Sequence, residues 1–380
     1  MLNPPSSLRF PGYQSLSIVL SLAALLVIGC GHSHAQIKEI PMSTVMDAIH
    51  NYSKGYVAPT ASYKPLEFAP TDHFEAPEDV FAPFLKSQIM QDKFDDLEYI
   101  ASQARLKKSM HSGGVWVLYD FYSAVGTPLM PNPSPAQWDE HIDHLKKWVA
   151  DYPESSTARI SLASGYAERA WASRGNGYAD TVSDDGWNDF TRYNNLAKAT
   201  LLEAATLKEK DPHWYYFMLQ LALAEGWTKS QARDLFDQAI AFEPGYYHFY
   251  REYAQYLLPR WHGEEGDPET LAEELPKRLK EPTASMMYFE TVTTYLCACF
   301  GEPPTLDGAS WPLLKEGYNN ITKLYGASSL KLNRYAYLAY VAKDKSAAHE
   351  AFTEIGDAYN RAAWRSQSQY ETARAWATAP

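Results

Sequence analysis

WYYFMLQLALAEGWTKSQARDLFDQAIAFEP, residues 214–244, is the stretch of sequence that decides the fold. Its apolar residues recur at spacings of three and four, as they do on one face of an α-helix. Pro244 closes the pattern, because proline cannot continue a helix. The stretch therefore predicts two consecutive helices that pack against each other.

The second of these helices carries Ala232, Phe236 and Ala239 at a spacing that resembles the second helix of a tetratricopeptide repeat. With Ala232 at position 20 of that 34-residue repeat, Leu219 and Leu223 take positions 7 and 11. One period later the register continues without adjustment through Tyr250, Tyr253, Ala254 and Leu257.

Two further segments fit the same pattern. Pro153 ends a helix predicted over residues 138–150 and defines a frame that contains Leu162, Ala163 and Tyr166. A frame near the C-terminus contains Leu332, Tyr335, Ala336, Ala339, Ala348, Phe352 and Ile355. Small residues at two positions of the repeat let paired helices approach, and each pair leaves an apolar face for the next pair to cover. The resemblance covers residues 137–356 and implies an all-α fold, a tetratricopeptide-like solenoid of α-α hairpins.

The sequence divides into three predicted parts. Residues 1–35 have the pattern of a signal peptide. Residues 36–83 are rich in proline and tyrosine without a sustained helical period, which predicts an irregular linker or N-terminal cap. Residues 84–380 are predicted to form the helical repeat domain. Within it, the apolar run 115–119 favours a buried helix over a strand.

The signal region allows two cleavage readings. Arg9 precedes an apolar run over residues 16–28, which is shorter than a membrane span requires but suits a secretory signal. The four residues ending at Cys30 resemble the lipobox of bacterial lipoproteins, in which lipid is attached to the cysteine thiol and tethers the chain to a membrane. Residues 33–35 offer ordinary signal peptidase a site that would leave a soluble chain beginning at Gln36. Both readings predict an exported protein of the cell envelope, lipid-anchored or periplasmic.

The charge balance argues against polyanionic partners. The formal net charge is −12. Loss of residues 1–35 removes Arg9 and no acidic residue, which brings the mature chain near −13. Nucleic acid and anionic lipid surfaces would be repelled at long range, because the sequence concentrates no basic patch to attract them.

Two insertions interrupt the helical register, and loops on a helical scaffold often carry recognition. The first insertion spans residues 174–187 and the second spans residues 259–267. The residues predicted to contact a partner are Trp171, Arg174, Asp184, Asp185, Trp187, Arg260, Trp261, His262 and Glu264.

The same regions carry a narrower resemblance. Residues 170–175, then Val182, Gly186, Trp187 and Phe190, and the later run 258–261, resemble an uncharacterised bacterial family, the domain of unknown function numbered 4034. The resemblance is expected to cover about residues 85–300. It implies a tetratricopeptide-type helical repeat without an assigned activity, so it transfers no function.

No motif of a catalytic, cofactor-binding or metal site stands out in the sequence. The acidic insertion lacks the ligand spacing of an EF-hand. His141 and His144 lie three residues apart, outside the metalloprotease order, which favours surface histidines over zinc ligands. Cys297 and Cys299 do not face each other on a helix, which favours buried small side chains over a disulfide or metal site. The prediction is therefore no catalytic residue, no cofactor and no metal.

The leading functional hypothesis is a non-enzymatic envelope scaffold that presents an acidic, aromatic surface to a protein or peptide partner. The alternative is a protein that binds or processes envelope glycans through the tryptophan-bearing loops at Trp187 and Trp261. The two hypotheses differ in whether these rings line a deep pocket or pack between helices.

Overall fold

The computed structural model describes residues 40–56, 81–175, 177–296, 305–306 and 308–379. The signal region and Cys30, Cys297 and Cys299 lie outside these described residues. Residues 37–380 form one unit, which contains every residue described below.

The described residues confirm the all-α class. Their helices are α1 Met42–Tyr52, α2 Phe81–Met90, α3 Phe94–Lys107, α4 Val117–Val125, α5 Pro135–Asp151, α6 Ser156–Arg174, α7 Asp184–Thr206, α8 Pro212–Glu225, α9 Lys229–Phe242, α10 His248–Tyr256, α11 Asp267–Arg278, α12 Thr283–Tyr295, α13 Trp311–Tyr325, α14 Ser329–Val341, α15 Lys345–Ile355 and α16 Gln367–Thr378. Two short strands, β1 Met110–His111 and β2 Val115–Trp116, pair antiparallel. In these ranges no helix is both long enough and apolar enough to cross a membrane.

Local sequence explains where the helices begin. Ser134 caps α5 in a capping box with Gln137, and Thr228 caps α9 in the same way with Gln231. Such caps satisfy backbone N–H groups that have no partner inside the helix. Proline occupies a first-turn position of α5, α8, α11 and α13, where its missing N–H costs nothing.

The helices pack as neighbouring hairpins. The pairs α5–α6, α6–α7, α8–α9, α11–α12 and α14–α15 are in contact. The even-numbered helices also contact one another in sequence, from α2 through α4, α6, α8 and α10 to α12. We call this series the even-numbered row. A row of this kind is what stacked helical hairpins produce, and the assignment of these hairpins to tetratricopeptide repeats stays a prediction.

The residues that set the predicted register form part of the core. Ala232, Phe236 and Ala239 are fully buried on α9, where they face the equally buried α8. Tyr250 and Ala254 of the next period are fully buried as well. Burying a large apolar side chain contributes about 1.5–3 kcal/mol each, so the register marks real packing positions.

One local expectation was wrong, and a second was confirmed only in part. The segment 36–83 contains the helix α1, whose Val45, Ile49 and Tyr52 are buried at spacings of four and three residues. This helix spans only 11 residues, so its period is not sustained along the segment. The run 115–119 does continue as α4, but Val115 and Trp116 first pair with β1, because the turn at Gly113 and Gly114 brings the chain back on itself.

Candidate functional site

The first insertion is anchored by a cation held over two indole rings. The α6 helix ends at Arg174, and Gly175 follows with φ of 71°. The Arg174 guanidinium lies 5.7 Å from the ring centroid of Trp171 and 5.5 Å from that of Trp187. It also donates hydrogen bonds to the carbonyls of Gly175 and Gly177, both 3.1 Å long. Arg174 therefore fixes the start of the loop through cation–π contacts and backbone bonds.

The end of this insertion is helical. Ser183 caps α7, and Asp184 and Asp185 lie exposed in the first turn of that helix. The two carboxylates therefore belong to a helix N-terminus, which their negative charge stabilises. Trp187 follows in α7 and packs edge-on against the buried Phe190 at 5.7 Å between ring centroids.

The second insertion meets the end of α6, where the first insertion starts. Trp171 and Trp261 lie 6.1 Å apart between ring centroids with an interplanar angle of 87°, an edge-to-face geometry that aromatic pairs favour. Trp171 also packs edge-on against Phe190 at 5.0 Å. We call Trp171, Arg174, Trp187 and Trp261 the aromatic junction. Residues separated by about one quarter of the chain thus share one cluster.

The end of α8 and the turn that follows it hold the second loop in place. His262 Nε2 lies 2.7 Å from the carbonyl oxygen of Leu223, and the imidazole sits over Gly226 at the end of α8. The Tyr256 hydroxyl donates to the carbonyl of Trp227 at 2.5 Å. His262 therefore positions the loop rather than presenting a free imidazole.

The outer surface of the two loops carries mixed charge and an open aromatic ring. Tyr178 is 86% exposed. Partial burial lowers the pKa of Arg260, and the nearby Tyr178 hydroxyl partly offsets that shift. Tyr178 belongs to the first loop and Arg260 to the second, so the two loops are close together here as well. Glu264 is exposed and lies 3.3 Å from Lys229, which also pairs with Asp267 at 2.7 Å. Asp184 and Asp185 add two exposed carboxylates.

The structure thus unites most of the sequence-predicted site residues and gives them different roles. Trp171, Arg174, Trp187 and Trp261 form the junction, while His262 holds the loop. The remaining predicted residues, Asp184, Asp185, Arg260 and Glu264, are exposed around it. This arrangement can bind by stacking, hydrogen bonding and charge.

Sequence reasoning missed a polar strip along the even-numbered row. Tyr119 of α4 stacks on His248 of α10 at 3.5 Å between ring centroids and packs edge-on against Tyr216 of α8 at 5.4 Å. The buried His213 adjoins Tyr119, and its Nδ1 lies 2.5 Å from the Tyr246 hydroxyl. Burial lowers the pKa of His213 and of His248, so both imidazoles are neutral at physiological pH.

Carboxylates line the same strip. Burial raises the pKa of Glu252 to about 7, with a smaller opposing effect from Arg251. Burial also raises the pKa of Glu168, which Lys86 partly offsets. Burial is the main reason that the pKa of Tyr119 rises to about 12, and both carboxylates are close enough to raise it further. In the sequence these residues appear only as single polar side chains within apolar helices. The period of one helix does not reveal which polar side chains of different helices lie next to each other.

Within the described ranges, no group of three or more His, Cys, Asp or Glu side chains is placed to hold a metal ion. His141 is buried and its Nε2 lies 2.9 Å from the Val125 carbonyl oxygen, which corrects the expectation of a surface histidine. His144 is half-buried, with Nδ1 2.7 Å from Asp92 Oδ1. The two imidazoles therefore serve different local contacts.

Comparison with known proteins gives one match. Residues 85–225 match the model of a family described as a domain of unknown function (DUF4034). The match extends from α2 through α8 and includes the first tryptophan loop, but it ends before the second loop and before the expected limit near residue 300. No curated protein and no solved structure matches the chain. The family resemblance is thus supported over its N-terminal part, and it brings no activity with it.

Proposed function

We propose that this protein is a non-enzymatic helical scaffold that binds a protein or peptide partner at the aromatic junction. The observation that carries the proposal is the contact between Trp171 and Trp261, 6.1 Å between ring centroids, which joins the end of α6, where the first insertion starts, to the second insertion. Loops that depart from a helical array and then meet give a rigid scaffold a local recognition surface.

The chemistry of this surface suggests the kind of partner. Exposed Asp184, Asp185 and Glu264 surround the half-buried rings, and the whole chain is strongly acidic. A partner segment that carries lysine or arginine beside an apolar side chain would match both the exposed carboxylates and the aromatic rings. Opposite charge guides association, and buried apolar contacts hold the complex together.

The alternative, a glycan ligand, requires an open ring face on which a sugar can stack. In the junction, Arg174 lies over Trp171 and Trp187, and Trp171 meets Trp261 and Phe190 edge-on. These contacts occupy much of the indole surface. They favour the peptide proposal over the glycan alternative.

Export belongs to the proposal as well. The partner is then a component of the cell envelope, and lipid on Cys30 would hold the scaffold at a membrane. Intact mass and membrane partitioning of the protein, compared with a Cys30→Ala variant, test this part. We expect a diacylglyceryl mass and membrane association that the variant loses. A soluble chain beginning at Gln36 would favour the periplasmic reading, and an uncleaved chain in the cytoplasm would contradict export.

The binding proposal is tested by capture of envelope proteins on the purified mature chain. We expect at least one protein to be enriched by the natural sequence and lost with Arg174→Ala and with Tyr178→Ala. Tyr99→Ala is the matched control, because Tyr99 is 65% exposed on α3 and lies outside both loops. Equal enrichment by all four proteins, or binding of soluble cell-wall glycan fragments in place of a protein, would contradict the proposal.

A further inference from the structure

One cation close to the aromatic junction has no acidic partner among the described residues. The guanidinium carbon of Arg169, on α6, lies 5.7 Å from the ring centroid of Trp138 and 5.6 Å from that of Tyr193. The guanidinium forms no ion pair and no hydrogen bond with any described residue, and its Nε is buried. Two aromatic rings therefore hold this positive charge in place, and no carboxylate in contact with it balances the charge.

The rings that hold Arg169 are themselves fixed by packing. Trp138 lies near the start of α5, Tyr193 lies in α7, and each of these side chains is only 4% exposed. Tyr166 of α6 stacks on Tyr193 at 6.3 Å between ring centroids. Three packed helices thus determine the position of one guanidinium. A ligand that binds it has little side-chain ordering left to impose, which favours affinity.

The neighbouring charges on α7 are already paired with each other. Arg192 also lies over Tyr193, with its guanidinium carbon 4.7 Å from the ring centroid. However, Arg192 forms an ion pair with Asp189 at 3.6 Å, and both of these side chains are exposed. This pair adds no net charge, so the unpaired charge of the group is that of Arg169.

The free end of the Arg169 side chain can be reached from solvent. The residue as a whole is half-buried, and its two terminal nitrogens are not enclosed as Nε is. A cation that loses part of its hydration without gaining an acceptor is costly, so an acceptor from outside would be favourable here. A carboxylate accepts two parallel hydrogen bonds from the two terminal nitrogens of a guanidinium, a geometry that lysine cannot offer.

The aromatic junction continues directly into this group. Tyr193 follows Phe190 by three residues on α7, about 4.5 Å along the helix axis and on the same face. Phe190 in turn packs edge-on against Trp171 and Trp187 of the junction. A peptide that covers the junction therefore needs to extend by only about one residue to reach Arg169.

We propose that Arg169 binds the carboxylate of an aspartate or glutamate side chain in the peptide partner. This inference rests on the proposed function, and it adds a specific requirement to the partner. The exposed Asp184, Asp185 and Glu264 attract a cationic side chain of the partner, while Arg169 takes an acidic one. Two contacts of opposite sign fix the direction of the peptide and reject sequences that carry only one kind of charge.

Selection of random linear peptides displayed on phage tests this requirement. The full mature chain and an Arg169→Glu variant are used as targets in parallel. We expect the natural sequence to select an acidic residue at a fixed distance from an apolar one. The variant should select lysine or arginine at that same place, because the sign of the contact is reversed. The same sequence preference for both targets would overturn the inference.

Fluorescence anisotropy of one selected peptide then measures the contact itself. Arg169→Met should weaken binding at least about tenfold, a loss typical of a charge-assisted contact. Replacing the acidic residue of the peptide by its amide should cost the same factor, and the two changes together should cost no more than either alone. Strictly additive losses would contradict a direct contact.

Two controls separate loss of the contact from loss of the fold. Methionine keeps a flexible, polarisable side chain between the two rings, so Arg169→Met should melt within about 4 °C of the natural sequence. Arg361→Gln removes an exposed arginine between α15 and α16 and should keep full peptide binding.

The outcomes also separate this inference from the proposed function. Loss of peptide binding with Arg174→Ala and Tyr178→Ala, but not with Arg169→Met, would overturn the inference and leave the junction as a binding surface. Loss with Arg169→Met alone would support the carboxylate contact and contradict the junction as the main surface. Failure of the natural sequence to select any peptide would overturn both.

Discussion

Asp211 is a buried residue whose hydrogen bonds link four of the N-terminal helices. Its Oδ2 accepts hydrogen bonds from Arg105 at 2.6 Å and from the Tyr122 hydroxyl at 2.7 Å, while Oδ1 caps α8 through the backbone of His213 at 2.8 Å. The Tyr52 hydroxyl accepts a hydrogen bond from the backbone N–H of Asp211 at 2.9 Å. The carboxylate of this one buried residue thereby connects α3, α4 and α8, and its backbone connects α1 to them.

Asp211→Asn should therefore lower the free energy of unfolding by about 3 kcal/mol, because it leaves the buried Arg105 guanidinium without its charged partner. Glu209, which lies 2.6 Å from Arg105, compensates only in part. Urea unfolding followed by circular dichroism measures the change. Asp357→Asn is the control, since its fully exposed carboxylate should leave the midpoint unchanged. Equal midpoints for both variants would show that the hydrogen bonds of Asp211 contribute little to the stability of the fold.

Glu252 is expected to make the free energy of unfolding depend on pH. Its folded-state pKa of about 7 lies above the ordinary value of a glutamate, so the folded chain holds a proton that the unfolded chain releases. Stability contributed by this proton is present below about pH 4.5 and is lost as the pH rises to about 7. Glu252→Gln should therefore raise the free energy of unfolding at pH 8 by on the order of 1–3 kcal/mol.

The same variant should change little at pH 4, where the natural carboxyl is already protonated. Urea unfolding at pH 4, 6 and 8 provides the comparison. Glu265→Gln, on the exposed second loop, is the matched control and should leave the pH profile unaltered. A pH-independent difference between Glu252→Gln and the natural sequence would contradict the proposed titration.

At the scale of elements, the sequence predicted the longer helices better than the connections. The helix expected over residues 138–150 is α5, which carries a sustained apolar period and a proline in the first turn. The short helix α1 and the two-residue strands were missed, because their conformation depends on distant partners. Val45 and Tyr52 belong to the core only once α7 and α9 are present.

The turn between β1 and β2 depends on a glycine. Gly114 has φ of 72°, and a Cβ atom there would lie 2.7 Å from the Tyr325 ring of α13. Gly114→Ala should lower the free energy of unfolding by about 2–3 kcal/mol, from backbone strain together with the steric conflict. Gly55→Ala is the control, because Gly55 has φ of 74° but open space around its Cα.

Urea unfolding of these two variants separates the steric effect from the conformational one. We expect Gly55→Ala to cost only about 1 kcal/mol, the usual penalty for a side chain in the left-handed region. Equal losses in both variants would show that Tyr325 moves aside without cost. In that case the contact between the strand pair and α13 would be loose.

The candidate site was only partly predictable for a similar reason. Trp171, Trp187 and Trp261 stand out because the helical register breaks beside them, and the loops do meet. Their roles were hidden, since sequence distance does not reveal that Arg174 lies over two rings or that His262 bonds to α8. Glu168 and Glu252 look like ordinary helical charges in the sequence. Only the packing of the even-numbered row brings them close to Tyr119.

At the scale of the whole molecule, successive hairpins supply one framework for the aromatic junction and for the polar strip of the even-numbered row. The junction lies where loops follow α6 and α10. The strip runs through Tyr119 of α4, Tyr216 of α8 and His248 of α10. The helix α10 therefore adjoins both regions.

The central claim is that the two insertions form one surface, and a double-mutant cycle on Trp171 and Trp261 tests it most directly. The free energy of unfolding is measured for the natural sequence, Trp171→Ala, Trp261→Ala and the double variant. We predict a coupling energy of about 0.5–1.5 kcal/mol, as expected for an edge-to-face aromatic pair. Strictly additive losses would contradict the account, because the loops would then be energetically independent.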